Sequence, residues 1–206
     1  MNIQDLVNYF TIAGAFAAIV ATIMAFIAFI NWKEQQEYSL KLHTLFDLED
    51  NFIIYITMSL EDFKTFWQVS KFIRDNKDKS NKIVTDSIKG YFNERLDNKA
   101  SQKARVDIEM AFIRVSRMNS EIKTKHHPII ERIAELRNKY ISKADEESSL
   151  ENYVKEIGEI RDDFIYALTE YRSKMKKTSL KKTMLLFTLL MTIAITLPSL
   201  IFIFFQ

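Results

Sequence analysis

The sequence predicts an all-α membrane protein, with an N-terminal and a C-terminal transmembrane helix joined by a cytoplasmic helical bundle with long coiled-coil-like stalks. All 29 Lys and Arg residues of the 206-residue chain lie between Lys33 and Lys182, so both ends lack basic side chains. The chain has 3 Gly and 2 Pro, too few for the turns of an all-β fold. Between the ends, apolar residues recur every three or four positions, which is the spacing of a helix face.

The first predicted transmembrane helix covers residues 9–32, from Tyr9 to Trp32, and follows a short non-cytoplasmic tail, 1–8. About 24 residues form a helix of roughly 36 Å, which is long enough to cross a hydrocarbon core of about 30 Å. A cleaved signal peptide starts with a basic region. The tail contains Asp5 and no basic residue, so we expect a retained span.

The second predicted transmembrane helix covers 183–206 and has no charged residue from Met184 to Phe205. Basic residues close to a span stay on the cytoplasmic side, and they attract anionic lipid head groups. We therefore expect residues 33–182 in the cytoplasm, both termini outside, and contacts with the bilayer surface. The Ile-, Asn- and Lys-rich composition is typical of AT-rich bacterial genomes, which makes the membrane a bacterial inner membrane. The residues predicted to set topology and contact head groups are Lys33, Arg172, Lys174, Lys176, Lys177, Lys181 and Lys182.

Five helices are predicted for the central part of the chain. The first continues from the first span to a polar break at 75–81, and a shorter one surrounds Ile88. The third carries apolar residues from Ala104 to Ile122 and ends at His126, because the residue before Pro128 avoids the α region.

Pro128 suits the first turn of the fourth helix. Ser148 and Glu151 have the spacing of a capping box, so the fifth helix begins there and continues into the second span. Phe72 and Val154 belong to the predicted core faces.

No catalytic residue, cofactor or metal site is predicted, and we expect that the protein is not an enzyme. The chain has no Cys, which excludes disulfides and thiolate ligands. None of the 3 His residues belongs to a His-Glu-x-x-His or Glu-x-x-His motif. The pair His126-His127 is interpreted as a turn feature, with a pH-sensing or metal role as the alternative.

Basic residues make one side of the third central helix positive: Arg105, Arg114, Arg117, Lys123 and Lys125. A basic patch of this kind is one mark of nucleic-acid binding. The domain as a whole is balanced in charge, so we do not expect a nucleic-acid partner.

Small residues recur every four positions in the first span. Such spacing lets helix backbones approach closely in lipid, where apolar surface alone does not drive association. We interpret these positions, here called the small-residue ladder, as an oligomerisation seam for the second span or for further copies of the chain. The ladder consists of Ala13, Gly14, Ala17, Ala18, Ala21 and Ala25.

The second span carries a stripe of hydroxyl residues, Thr188, Thr192, Thr196 and Ser199. Such a stripe is a candidate pore lining, and the alternative is that each hydroxyl bonds the carbonyl four residues earlier. Pro198 has no backbone donor for Ala194, which predicts a kink. Neither span contains a charged residue, so a proton relay or ion-coupled transporter is not expected.

The layout resembles the small two-span membrane effectors and accessory proteins of bacterial antiphage systems, without a shared motif. The first hypothesis is a homo-oligomeric inner-membrane effector that perturbs the membrane or forms a pore, gated by its cytoplasmic helices and serving antiviral defence. The alternative is a non-catalytic, membrane-anchored scaffold or accessory subunit that presents a helical bundle to a cytoplasmic protein partner.

Overall fold

The computed structural model describes residues 3–78, 85–90, 98–144 and 146–204, and within these ranges it contains helices and turns but no strand. The prediction of an all-α chain is confirmed. The helices are α1, Ile3–Asp75; α2, Asn98–Ser116; α3, Ser120–His126; α4, Pro128–Ile141; and α5, Ser149–Phe204, and residues 85–90 are also helical.

The chain divides into two compact units. The terminal unit contains the residues up to Leu40 and those from Ser173 onward, and the central unit is Lys41–Arg172. Helices α1 and α5 contribute residues to both units.

A hydrophobic core fills the central unit, and α1, α2, α4 and α5 all contribute to it. The side chains from α1 follow a three-four spacing, because that spacing keeps them on one side of a helix. Fully buried members include Leu45, Leu48, Phe52, Ile108, Phe112, Ile133, Ile157 and Leu168.

Aromatic rings join the helices at the centre of this core. The ring of Phe52 on α1 lies 4.1 Å from that of Phe164 on α5, between centroids. Phe112 of α2 lies 6.0 Å from Phe164. About three turns further along α1, Phe63 lies 4.2 Å from Tyr153. Close tilted pairs of this kind add to the stabilisation from burial alone.

The third predicted helix is two helices, which corrects the sequence interpretation. The chain leaves the helix after Ser116 and re-enters it at Ser120. Asn119 is extended, and its side chain accepts a hydrogen bond from the Glu121 backbone N–H at 2.9 Å. Asn is a favoured N-cap because its side chain satisfies a donor that the first turn leaves unpaired. The apolar spacing continues across the break, so periodicity alone did not reveal it.

Two predicted core positions are exposed. Phe72 lies near the end of α1, and Val154 lies on the outer side of α5. The buried stripe of α5 runs through Tyr153, Ile157 and Ile160, and residue 154 is turned about 100° from it. Other boundaries agree with the sequence: α1 ends at Asp75, and Pro128 is in the first turn of α4.

One of the described helices is long and apolar enough to cross a membrane, judged by length and composition. It is the part of α1 from Ala17 onward, near the N-terminus, and its most apolar window is not buried in the protein. Residues 1, 2, 205 and 206 lie outside the described residues, and so do the side chains of many residues in the second predicted span.

Candidate functional site

The small-residue ladder lies on the surface of α1. Gly14, Ala17, Ala18, Ala21 and Ala25 are exposed, and the side chain of Ala13 is outside the described residues. A Cβ atom placed on Gly14 would meet no other atom within 4 Å, its own helix backbone aside. The ladder therefore has room for a neighbouring helix to approach closely.

Three isoleucines on a different face of α1 are less exposed than the ladder residues. Ile23, Ile27 and Ile30 are half-buried, and their spacing of four and three places them on one side of the helix. Ala17 and Ala21 lie more than 90° around the helix from this side at 100° per residue. The ladder and these partly covered isoleucines, here called the isoleucine face, thus lie on different sides of α1.

The described hydroxyls of the second span bond to their own helix. Thr188, Thr192 and Thr196 each donate to the carbonyl oxygen four residues earlier, at 2.9 Å. All three residues are exposed. Their protons are used locally, although each oxygen keeps lone pairs for an incoming donor. The side chains of Ser199 and Pro198 lie outside the described residues, and the pore lining and the kink stay predictions.

Arg172 lies in the central unit, where its guanidinium is held by Glu49 and Phe46. Nη2 is 2.6 Å from Glu49 Oε2, and both side chains are 18 % exposed. The contact falls outside hydrogen-bond geometry, so it is an ion pair. The guanidinium carbon lies 4.7 Å from the Phe46 ring centroid. This ion pair joins α5 to α1. It neutralises a positive charge that the sequence predicts to contact lipid head groups.

Most of the other basic residues near the spans lie on the surface. Lys33, Lys174, Lys176, Lys177 and Lys181 are exposed. The side chain of Lys182 is outside the described residues. Their contact with lipid stays a prediction.

Polar contacts within the central unit are structural links that the sequence did not reveal. The hydroxyls of Ser59 and Tyr153 are 2.8 Å apart in the core. Asp62 accepts a hydrogen bond from Ser101 at 3.0 Å and lies 3.6 Å from Arg137. These partners are distant in sequence, so no local motif marks them.

Tyr140 and Lys139 of α4 donate to the Glu156 carboxylate of α5 at 2.5 and 2.8 Å. The hydrogen bond from Lys139, followed by that from Tyr140, lowers the pKa of Glu156. Burial raises the pKa of Tyr153, so its phenol stays protonated at neutral pH. Neither effect produces a nucleophile or a general base near pH 7.

His126 and His127 stand between α3 and α4. His127 Nε2 is 2.8 Å from Glu109 Oε2, and the His126 ring packs edge-on against Phe164 and Tyr171. Burial, followed by the charge of Lys125, lowers the pKa of His126. Among the described residues, no group of three or more His, Asp or Glu side chains is placed to hold a metal ion.

Comparison with known proteins gives no family assignment. No family model, no curated protein and no solved structure matches this chain.

Proposed function

We propose that the protein is a homo-oligomeric effector of a bacterial inner membrane, assembled through the small-residue ladder, that perturbs the membrane or forms a pore. The observation that carries this proposal is that the described ladder residues are exposed on an apolar helix, whereas the isoleucine face of the same helix is partly covered. In lipid, a row of small residues gains van der Waals contact only when another helix covers it. A second copy of α1 supplies such a helix.

The proposal includes a topology with both termini outside and the central unit in the cytoplasm, in contact with anionic lipid through the basic residues before the second span. The chain has no Cys, so a single introduced Cys is the only thiol. We expect a membrane-impermeant maleimide to label Asn2→Cys in intact cells and Glu131→Cys only after lysis. Labelling of Glu131→Cys in intact cells would contradict the topology.

The functional test is the membrane potential of cells that express the full chain, followed with a voltage-sensitive dye. We expect depolarisation by the native chain and none by Ala17→Leu/Ala21→Leu, because two Leu side chains keep helices from close approach at the ladder. The control is Ala15→Leu/Thr22→Leu, which adds bulk at two exposed positions on another side of α1.

Unchanged depolarisation in Ala17→Leu/Ala21→Leu would refute the seam. A native chain that inserts fully without depolarising the membrane would refute the pore and favour the second candidate, a non-catalytic membrane-anchored scaffold. The self-contained core of the central unit favours that candidate. It predicts that residues 33–181 alone still capture a cytoplasmic protein partner.

A further inference from the structure

Helix α2 carries an apolar stripe on its outer side, opposite the core. Val106, Met110 and Ile113 are 58 %, 50 % and 37 % exposed. Their spacing of four and three places them on one stripe. Lys103 and Arg114, also exposed, stand at its two ends and eleven positions apart. Together these five residues form the α2 outer face.

Helix α1 carries a matching stripe of opposite charge. Ile53, Ile54 and Thr57 are exposed in the central unit and lie between Asp50 and Glu61, which are likewise exposed. The two acids are also eleven positions apart. These five residues form the α1 outer face. Thr57 donates to the Ile53 carbonyl at 2.8 Å, so its hydroxyl needs no other acceptor.

The charges at the ends of both faces are available to a partner. Asp50, Lys103 and Arg114 form no ion pair with the residues that the structure describes. Glu61 lies 3.9 Å from Lys64, and both side chains are more than half exposed. An ion pair this long and this exposed contributes little to stability, so a closer cation can replace Lys64.

The two faces match in length and carry charges of opposite sign at their ends. Eleven positions of α-helix span about 16 Å on each face. Acids at both ends of one stripe meet bases at both ends of the other, while the apolar residues between them leave water. Like charges would face each other if either face paired with itself.

The two faces of one chain cannot meet each other. The side of α1 that faces its own α2 carries Asp62, which contacts Ser101 of α2 at 3.0 Å. The α1 outer face lies on the other side of that helix. A contact between α1 and α2 outer faces therefore needs two chains, and because the two surfaces differ, it repeats around a ring or along a filament.

We propose that the central units assemble head to tail, with the α2 outer face of one copy docked on the α1 outer face of the next. This inference rests on the proposed self-association of the protein. It assigns the central unit a contact of its own in the assembly. Each copy contributes its α2 outer face to one neighbour and its α1 outer face to another.

Site-specific cross-linking in native membranes tests this contact directly. Two chains with different tags are co-expressed, one with Ile53→Cys and the other with Met110→Cys, and treated with a short bifunctional maleimide. Each chain has one thiol, so any product joins two chains. We expect a mixed product, and none when Met110→Cys is paired with Glu131→Cys, which is exposed on α4.

Charge reversal then tests the pairing. Adding Asp50→Lys/Glu61→Lys to the Ile53→Cys chain places like charges opposite each other, and we expect the mixed product to fall about tenfold or more. Adding Lys103→Glu/Arg114→Glu to the Met110→Cys chain should restore it. Because the restored pair contains both altered chains, recovery also shows that both fold.

Three outcomes would overturn the proposal. The first is that the chains without charge reversal give no mixed product. The others are a mixed product whose yield is unchanged by the first reversal, and a yield that the second reversal does not restore. Docking of the α2 outer face on a lipid surface or on another protein gives the first of these. The result is independent of the membrane-potential assay. Depolarisation without the cross-link would leave the ladder seam standing, and the cross-link without depolarisation would leave the interface standing.

Discussion

The hydroxyls of Ser59 and Tyr153 form a buried hydrogen bond between α1 and α5. Ser59→Ala leaves the phenol of Tyr153 without this partner, and we expect a loss of about 1–2 kcal/mol in the free energy of unfolding. The double variant Ser59→Ala/Tyr153→Phe should lose less than the sum of the two single variants, because neither hydroxyl is then stranded.

Denaturant unfolding of the full chain in detergent measures these changes. Thr57→Ala is the matched control, because its hydroxyl is exposed and bonds only its own helix. We expect the control to stay within about 0.5 kcal/mol of the native chain. Strict additivity in the double variant would contradict an interaction between the two hydroxyls.

His126 is expected to make the protein less stable in mild acid. Its pKa is lowered in the folded chain, so the unfolded chain binds the proton more readily. Stability from this group is complete above the ordinary pKa of about 6.5 and is lost as the pH falls below it. Because His126 is only half-buried, the slope should stay below the roughly 1.4 kcal/mol per pH unit of one full proton.

Unfolding measured from pH 7.5 to pH 5.5 checks this prediction, with His126→Phe as the comparison. Phe keeps a ring against Phe164 and Tyr171 but does not titrate. The variant should lose less stability across this range than the native chain. Equal slopes would show that another group causes any loss.

Single residues differ in how far the sequence could predict them. The small-residue ladder and the local bonds of Thr188, Thr192 and Thr196 depend on neighbours three or four positions away, so the sequence alone names them. The pairing of Arg172 with Glu49 joins positions far apart in sequence and depends on how α5 lies against α1. Charge counting could not separate Arg172 from the lysines that follow it.

Among the helices, α5 contributes the ring at the centre of the core. Phe164 contacts Phe52 of α1 and Phe112 of α2. Phe164→Ala should cost about 3–5 kcal/mol in unfolding free energy, because it removes buried apolar surface and leaves a cavity. Tyr166→Ala, two positions along the same helix and exposed, should change stability by less than about 0.5 kcal/mol.

Chemical unfolding of the two variants in parallel measures both values. Similar losses for Phe164→Ala and Tyr166→Ala would mean that α5 does not bury the face described here.

The ends of the helices were predictable where one residue sets the backbone, and not where the apolar period continues. Pro128 fixes the start of α4 from its own ring geometry. The break before α3 depends on the Asn119 side chain in a segment whose apolar spacing matches one continuous helix. The sequence predicts Val154 in the core because apolar residues at 150, 154 and 157 also fit a three-four spacing. In the structure, the packing of the neighbouring helices buries Tyr153 instead.

At the scale of the whole molecule, the hydrophobic core formed by the described side chains lies within the central unit. Among the residues whose side chains the structure describes, every buried apolar one falls between Lys41 and Arg172. We therefore expect residues 41–172, expressed without the terminal unit, to fold into a helical unit that unfolds cooperatively. Circular dichroism during heating tests this, and Phe164→Ala in the same fragment should lower the midpoint by roughly 10–20 °C.

A gradual, non-cooperative loss of helix from the native fragment would contradict an independent core. It would also show that the central unit needs the membrane or the terminal unit to fold.

The buried link between Ser59 and Tyr153 has a consequence for motion as well as for stability. A one-turn slide of α5 along α1, about 5.4 Å, would carry Tyr153 beyond the reach of Ser59. Both hydroxyls would then lose this partner, and a buried hydroxyl without a hydrogen bond costs free energy. The hydrogen bond between Ser59 and Tyr153 therefore fixes the axial register of α5 against α1. A stimulus that shifts α5 along its axis must first break this hydrogen bond.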